Sequence, residues 1–482
     1  MLGIAACLVA LELAVSARYG LHRDELYFLA CARHLTWGFV DQPPLVPAVA
    51  WLAQHLASSS AVGLRLLPAL AGGSCVVLAG LMARELGGGR RAQVLAALAA
   101  ATSAQVIAAC HLLSTAAFDL VFWALISFFA LRLLRTRDER LWLAVGAVAG
   151  VGLLNKHNLL FLLGALAVAL LVADRRPLRG PWPWVGAALA LLIWSPNIVW
   201  NAQHHWAAIE MTRSLHRENS SVGASIEFIP SQLIVVGPVL APLWVMGLRR
   251  LLRHPFARPL GIAYIVLLVV YTLSGAKPYY LAGIYFLLFA AGGVWAEQRI
   301  PAEHGRRSMR RWAVAMIAGA VVALPLTLPV LPVNDLANGS WEGKINKDLS
   351  ATVGWRRVVR QLGGVAATLP PAERARVVVF TGDYGAAGAV DLYGKSYGLP
   401  RVVSGHNNYW WWGPPRAADG ATVIAVNLSE GYLRSLFTEV QPAGAVDTGF
   451  GVWTEERGEP IWVCRGQRRP WVVAWPAAKH YG

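Results

Sequence analysis

A series of apolar runs, each close to the roughly 20 residues that cross a bilayer as a helix, constrains this chain more than any other feature. The runs fall at residues 1–19, 61–83, 92–110, 116–133, 141–155, 157–173, 182–200, 231–248, 259–274, 281–296 and 312–333. A soluble domain cannot hide so many long apolar segments, so the pattern predicts a polytopic α-helical membrane protein with about 11 transmembrane helices. Composition agrees: 15% of the 482 residues are charged, against roughly 25% in a typical soluble chain.

The formal net charge of +16 raises the question of nucleic acid, but the distribution of charge argues against it. The arginines gather between apolar runs: Arg84, Arg90 and Arg91; Arg132, Arg135, Arg137 and Arg140; Arg175, Arg176 and Arg179; Arg249, Arg250, Arg253 and Arg258; and Arg299, Arg306, Arg307, Arg310 and Arg311. All five groups lie on one side if the N-terminus is cytoplasmic, which is the positive-inside pattern. The expected partner is therefore the lipid bilayer and not nucleic acid, and the expected location is the inner or plasma membrane. Val15-Ser16-Ala17 resembles a signal-cleavage site, but no positive segment precedes it and Glu12 interrupts the run. A first transmembrane helix is expected there instead. Cys7, Cys31, Cys75, Cys110 and Cys464 show neither a CxxC pair nor metal-ligand spacing, and read as packing residues.

The opposite face then receives the segments 22–61, 111–118, 155–158, 201–231 and 274–280, and everything after about residue 333. The tail changes character. "RVVVFTGDYGAAGAVDLYGKSYGLP" reads as a buried strand, a turn and a helix, and "ATVIAVNLSEGYLRSLF" repeats strand then helix. "GVWTEERGEPIWVCRG" reads as two strands joined at Arg457-Gly458. The division expected is a transmembrane catalytic domain over 1–333, with a first outer loop at 20–60, and a small extracytoplasmic α/β domain over 334–482.

Chemistry should collect on that outer face. Arg23, Asp24 and Glu25 stand together just after the first apolar run, ahead of Leu26, Leu29, Ala30, Arg33 and His34 at helical spacing. Interleaved Tyr27, Phe28 and Trp37 suit an amphipathic helix lying in the membrane interface. Adjacent carboxylates at a membrane surface are functional candidates, although Asp24 has a plainer role available as a helix N-cap. Asp41, before Pro43-Pro44, likewise has a plainer role in a turn. Lysine is scarce, yet Lys156 and Lys277 both fall at outer ends of helices, where they could hold a phosphate or simply snorkel. Arg23 and Arg65 are further cations. His204 and His205, adjacent on a helix, cannot both face one metal. Tyr409 to Trp412 could anchor the interface or stack on sugar or lipid.

"RDELYF" with "WGFVDQPPLVPAVAWL" resembles the first-loop motif of the protein O-mannosyltransferase-like (PMT) family, within the GT-C architecture of polytopic glycosyltransferases. "LLSTAAFDLVFW", "GLLNKHNLLFLL", "SPNIVWNAQHHW" and "GAKPYYL" look like weaker later landmarks of that family, to which the aminoarabinose lipid A transferases are related. The resemblance implies inverting transfer from a polyprenyl-phosphate sugar to a hydroxyl on the outer face. It implies Asp24 as general base, with Glu25 and Asp119 as the other catalytic acids and no separate role fixed for Glu25. Asp119 has a plainer role beside the positive end of its helix. Lys156, Lys277, Arg23 and Arg65 would bind donor phosphate; Asp41, Tyr409, Trp411 and Trp412 would contact acceptor or lipid. No cofactor is expected, and no ligand set argues for a divalent metal. The acceptor could be protein, lipid or polysaccharide. The rival class is a transporter or lipid flippase, which should bring repeat symmetry and mid-membrane charges.

Overall fold

The computed structural model describes residues 1–57, 60–219, 222–300, 305–336, 347–416 and 421–481. The first part is helical: α1 (Leu2–Val15), α2 (Arg23–Arg33), α3 (Leu45–Ala57), α4 (Ala61–Glu85), α5 (Arg90–Ala101), α6 (Ala104–His111), α7 (Thr115–Thr136) and α8 (Leu141–Leu153). It continues with α9 (Leu159–Ala173), α10 (Trp182–Gln203), α11 (Ala207–Asn219), α12 (Val222–Val236), α13 (Ala241–Arg253), α14 (Arg258–Ser274), α15 (Tyr285–Glu297) and α16 (Gly305–Thr327). Local chemistry sets several ends. Ser60 caps α4 by accepting from Gly63 N–H, and Ser114 caps α7 by accepting from Ala117 N–H. Gly275 closes α14 in the left-handed conformation at φ 60°.

Among the described residues, five helices are long and apolar enough to cross a membrane, or seven if two bent pairs each count as one span. The bends correct two of the expected continuous runs. The run at 92–110 is broken by 55° between α5 and α6, at Thr102-Ser103. The run at 231–248 is broken by 90° between α12 and α13. There Pro238 removes a backbone donor and Gly237 takes φ 107°, a conformation that side chains resist. The 201–231 segment, expected as a loop, carries helices α11 and α12; its residues 220–221 lie outside the described set.

After the helices comes a small sheet domain, with residues 337–346, 417–420 and 482 outside the described set. Its elements are α17 (Trp355–Thr368), β1 (Val378–Thr381), α18 (Tyr384–Tyr393), β2 (Val402–Ser404), β3 (Thr422–Val426), β4 (Phe437–Ala445) and β5 (Pro460–Gln467). The strand order is β2-β1-β3-β5-β4. β1 pairs in parallel with β2 and β3, and β5 runs antiparallel to β3 and β4, with Ile424 opposite Val463. Every residue of β1 and β3 is buried, as befits strands covered on both faces. One face, with Val379, Ile424 and Val463, packs under α17 and α18; the other, with Phe380, Ala425 and Trp462, packs on Trp471 and Trp475.

The expected hairpin in "GVWTEERGEPIWVCRG" is half right. Pro460–Gln467 is a strand, but its hairpin partner is Phe437–Ala445. Residues 446–459 form the connection, because Gly449, Phe450 and Gly451 all take positive φ, which a strand cannot accommodate. A second correction concerns α2. It does not lie half-exposed in an interface: Leu26, Tyr27, Phe28, Leu29, Ala30, Cys31 and Ala32 are all buried. The outer side of α2 is covered by α18, whose Gly385 and Gly388 let the two backbones meet. A Cβ at Gly385 would stand 2.8 Å from Arg23 Cβ, and one at Gly388 would stand 2.8 Å from the Leu26 carbonyl carbon. The sheet domain and the first loop therefore share one core, in which Leu26, Leu29, Ala386 and Val390 belong to the same cluster.

Candidate active site

The site is built on the first turn of α2. His22, not Asp24, is the N-cap: its ring Nδ1 accepts from Asp24 N–H at 3.1 Å. Glu25 closes a capping box by accepting from His22 N–H at 2.8 Å. The Asp24 carboxylate is therefore released from capping. It stays 38% exposed, and its Oδ1 accepts from the Tyr384 hydroxyl, at the start of α18, at 2.8 Å. Arg23, beside it, donates to Glu455 at 2.6 Å and holds its guanidinium 6.0 Å from the Tyr384 ring centre.

Glu25 points the other way, into the protein, and is fully buried. Arg65 of α4 meets it in a two-pronged pair, Nε to Oε1 at 2.9 Å and Nη2 to Oε2 at 2.6 Å. Leu113 N–H also donates to Oε1 at 3.0 Å, while Arg65 donates onward to the Ser16 and Gly20 carbonyls. Burial would raise the Glu25 carboxyl, but Arg65 more than offsets this and holds it below the usual range. Arg65, expected among the phosphate-binding cations, is thus 2% exposed and fully engaged with Glu25 and two backbone carbonyls.

Asp41 follows the buried turn Phe39-Val40. Its Oδ1 accepts from the Tyr27 hydroxyl at 2.9 Å, and the Tyr27 oxygen accepts from Asn408 N–H at 3.4 Å. Asn408 Oδ1 in turn accepts from Val40 N–H at 2.9 Å. Asp41 is exposed at the surface, yet the protein atoms massed around its carboxyl cost it hydration and push it up to about 7.

The lysines come from two turns. Lys156, between α8 and α9, has its Nζ 4.6 Å from the Tyr280 ring centre and 5.2 Å from that of Tyr279. Lys277 is the exposed residue just before the short 3₁₀ helix Pro278–Ile284. Lys156 lies within electrostatic range of both Lys277 and Asp119. Asp119 is not at the helix entrance but one turn inside α7, and is buried. It accepts from Trp123 Nε1 at 3.1 Å and from Asn158 Nδ2 at 3.3 Å. Tyr279 lies within electrostatic range of Asp24.

The aromatic loop packs against Tyr27: the Tyr409 and Trp412 ring centres lie 6.2 Å and 6.5 Å from that of Tyr27, which is itself 5.0 Å from the Tyr384 ring. Tyr409 is buried and donates to Asp391 at 2.8 Å. Trp412 stacks on His34 of α2 at 4.4 Å, and Trp411 donates to the Tyr481 hydroxyl at 3.1 Å with its edge against His204. All three side chains pack at the seam between the sheet domain and the helices. Among the described residues no group of three or more metal-ligating side chains occurs.

Asp24, Arg23, Tyr279, Lys156, Lys277 and Asp119 thus form one neighbourhood, with Glu25 and Arg65 as its buried footing. Sequence reasoning missed Tyr384, His22, Tyr27, Asn408 and the Tyr279-Tyr280 pair. A signal for Tyr384 was present: the two glycines after it in "GDYGAAG" stand three apart on one helix face, the mark of a close backbone approach. Chemically, an accessible carboxylate oriented by a phenol can take a proton, and nearby ammonium groups can hold an anion.

Residues 41–200 match the family model described as dolichyl-phosphate-mannose-protein mannosyltransferase. The lipid A galacturonosyltransferase RgtD of Rhizobium johnstonii is 27% identical over 236 residues, covering 46% of this chain and 48% of that protein. The chain therefore spans about half the length of this curated relative. The fold is similar to that of ArnT from Cupriavidus metallidurans, solved in the apo state and bound to undecaprenyl phosphate. Each has a TM-score of 0.61 over 96% of both chains, at 15% and 16% identity. The arabinofuranosyltransferase AftD from Mycobacteria gives a TM-score of 0.51 at 15% identity, over 96% of this chain and 41% of that one. Part of the chain is thus similar in sequence to known glycosyltransferases, and its fold is similar to that of ArnT.

Proposed function

We propose that this chain is an integral membrane glycosyltransferase that moves a sugar from a polyprenyl-phosphate donor to an acceptor hydroxyl on the outer membrane face. The observation that carries the reading is the Asp24 carboxylate, freed from capping by His22 and aimed by Tyr384. In the step proposed, the acceptor oxygen forms a bond to the anomeric carbon as the bond from that carbon to phosphate oxygen breaks. The electron pair leaves on the lipid phosphate, and the acceptor proton passes to Asp24. A single displacement of this kind inverts the anomeric centre. Lys156 and Lys277 are the cations best disposed to steady the departing phosphate, since Arg65 is engaged by Glu25 and Arg23 by Glu455.

ArnT has been solved with undecaprenyl phosphate, which supports a lipid-phosphate donor. RgtD is named for lipid A, which makes a lipid acceptor the first to test. The expected eleven crossings are reached if four of the shorter apolar helices, α1, α8, α9 and α14, also span. The arginine-rich turns would then be cytoplasmic and the sheet domain outside.

The test is purified protein with a radiolabelled polyprenyl-phosphate sugar and a lipid acceptor extract. Label should reach the acceptor with the wild type and not with Asp24→Asn. Transfer that is equal in the two proteins, or label moved across the bilayer without bond cleavage, overturns the reading.

A further inference from the structure

The end of the helix bundle away from Lys277 carries a second basic site. α15 leaves the Lys277 turn and runs away from it for 13 residues, or about 20 Å at the helical rise. Its C-terminal end meets that of α13. Glycines force this meeting: a Cβ on Gly247 would stand 2.1 Å from the Leu288 carbonyl oxygen, and one on Gly292 would stand 2.1 Å from that of Leu243. Small residues of this kind let helix backbones touch in a membrane. The contact fixes the last turns of both helices side by side, together with the start of α14.

Between them lies a cleft of about 520 Å³ lined by Arg249, Arg250, Arg253, His254 and Arg299, with Met246 and Trp295 as apolar wall. Among the described residues that line it none is acidic. The nearest acid in sequence, Glu297, is turned away and accepts from the backbone N–H groups of Gly89, Arg91 and Ala92. Arg250 donates Nη1 to Gln298 at 2.7 Å, which ties α13 to α15, but its Nε is buried without a hydrogen-bond partner. Arg299 rests on the Trp295 ring at 4.7 Å. Helix C-terminal carbonyls favour cations nearby, yet two helix ends supply only about one elementary negative charge against four guanidinium groups. Among the described residues that line the cleft, none supplies a counter-anion.

We propose that this cleft binds the phosphate headgroup of an anionic membrane lipid. Guanidinium forks match phosphate oxygens in pairs. Basic pockets between transmembrane helices take acidic lipid headgroups, and a Trp beside them sits at headgroup depth. Met246 and Trp295 give the glycerol and the first acyl carbons an apolar wall that a free inorganic anion would not use. The site is separate from Asp24 and does not depend on the reaction proposed there.

The protein is reconstituted in phosphatidylcholine nanodiscs with and without phosphatidylglycerol, and both melting temperature and lipid retention by native mass spectrometry are read. Wild type should melt higher with phosphatidylglycerol and retain it. The double variant Arg253→Gln with Arg299→Gln should retain it roughly tenfold less, the loss expected of a charge-assisted hydrogen bond. The control Arg175→Gln with Arg176→Gln, which removes two charges from another turn, should behave as wild type. Melting in phosphatidylcholine alone reports the fold. If the double variant melts lower there, Arg253→Lys, which keeps the charge and loses the fork, should still show reduced retention. Wild-type retention in the cleft variants overturns the proposal, as does an equal loss in the control. Equal protection of wild type by inorganic phosphate in phosphatidylcholine discs also overturns it, in favour of a soluble anion.

Discussion

Tyr384 donates its hydroxyl to Asp24 Oδ1 at 2.8 Å, joining residues 360 positions apart in the chain. The contact makes the sheet domain part of the site and more than a cover over it. α18 delivers the phenol, Gly385 and Gly388 bring α18 against α2, and the His22–Glu25 capping box leaves Asp24 free to receive it. The sheet domain therefore touches the carboxylate placed at the centre of the proposed chemistry.

Asp24→Asn should lower turnover by roughly 10²–10⁴-fold, the range for loss of a general base, with little change in donor affinity. Because His22 holds the capping position, Asp24→Ala should cost far less than the ~1 kcal/mol typical of a lost N-cap. Transfer assays and thermal melts on both variants check this pair of outcomes. An active Asn variant would move the base role to Asp119, the next acid in the neighbourhood.

Tyr384→Phe keeps the ring that faces Arg23 and deletes only the hydroxyl. With Asp24 less firmly aimed, kcat should fall by roughly tenfold, about the worth of one hydrogen bond to a charged group, while the donor KM stays put. Steady-state kinetics on the purified variant decide it. A purely structural phenol would lower the melting temperature and leave kcat intact.

The helical part was legible because apolar run length is a local signal, and β1, β3, β5 and the helix after β1 were legible because burial and turns leave period and punctuation in sequence. The bends at Thr102-Ser103 and Gly237-Pro238 escaped since hydropathy averages over a window and is blind to a break inside an apolar run. The pairing of β5 with Phe437–Ala445 is a long-range choice that no local pattern states. Asp24 was singled out as a candidate by its oddity among apolar residues. Tyr384 was not, because a tyrosine beside glycines is unremarkable until the fold brings it to α2. For the aromatic run Trp410-Trp411-Trp412 composition offered an interface anchor or a stacking platform, and the partners that the fold gives it, His34 for Trp412 and the Trp475 carbonyl for Trp410, are long-range contacts that composition does not state.

The buried pair Glu25–Arg65 should behave as a footing. Removing one partner leaves an uncompensated buried charge, which typically costs about 3–5 kcal/mol. Arg65→Ala and Glu25→Ala should each lower the melting temperature sharply, and Arg65→Lys should recover only part, because an ammonium cannot make the two-pronged contact. Donor affinity in whatever protein remains folded should match wild type. A stable Arg65→Ala protein with impaired donor binding would return Arg65 to the phosphate site.

Lys156→Ala and Lys277→Ala should each weaken donor use. A desolvated charge-assisted bond to phosphate is worth about 1.5–3 kcal/mol, or roughly 10- to 150-fold. Lys156, packed on Tyr279 and Tyr280, should be the more sensitive of the two, since exposed Lys277 keeps more of its water. Titration of a polyprenyl phosphate against each variant measures it. Wild-type affinity and turnover in both would assign the lysines to anchoring at the interface.

Asp41 should give the protein a pH dependence near neutrality. Lost hydration pushes its carboxyl from the ordinary 3.8 up to about 7, and the Tyr27 hydroxyl opposes that push. The folded state therefore prefers the protonated form. Its contribution to stability is complete below the unfolded value near 3.8 and is lost as pH rises through about 7. Asp41→Asn is neutral at every pH and should escape that loss, so its melting temperature should gain on wild type as pH rises from about 4 to about 7. Tyr27→Phe removes the opposing hydrogen bond and should carry the wild-type transition to higher pH. If the difference between wild type and Asp41→Asn is flat across that window, Asp41 is hydrated in the folded protein and its contact with Tyr27 does not govern its charge.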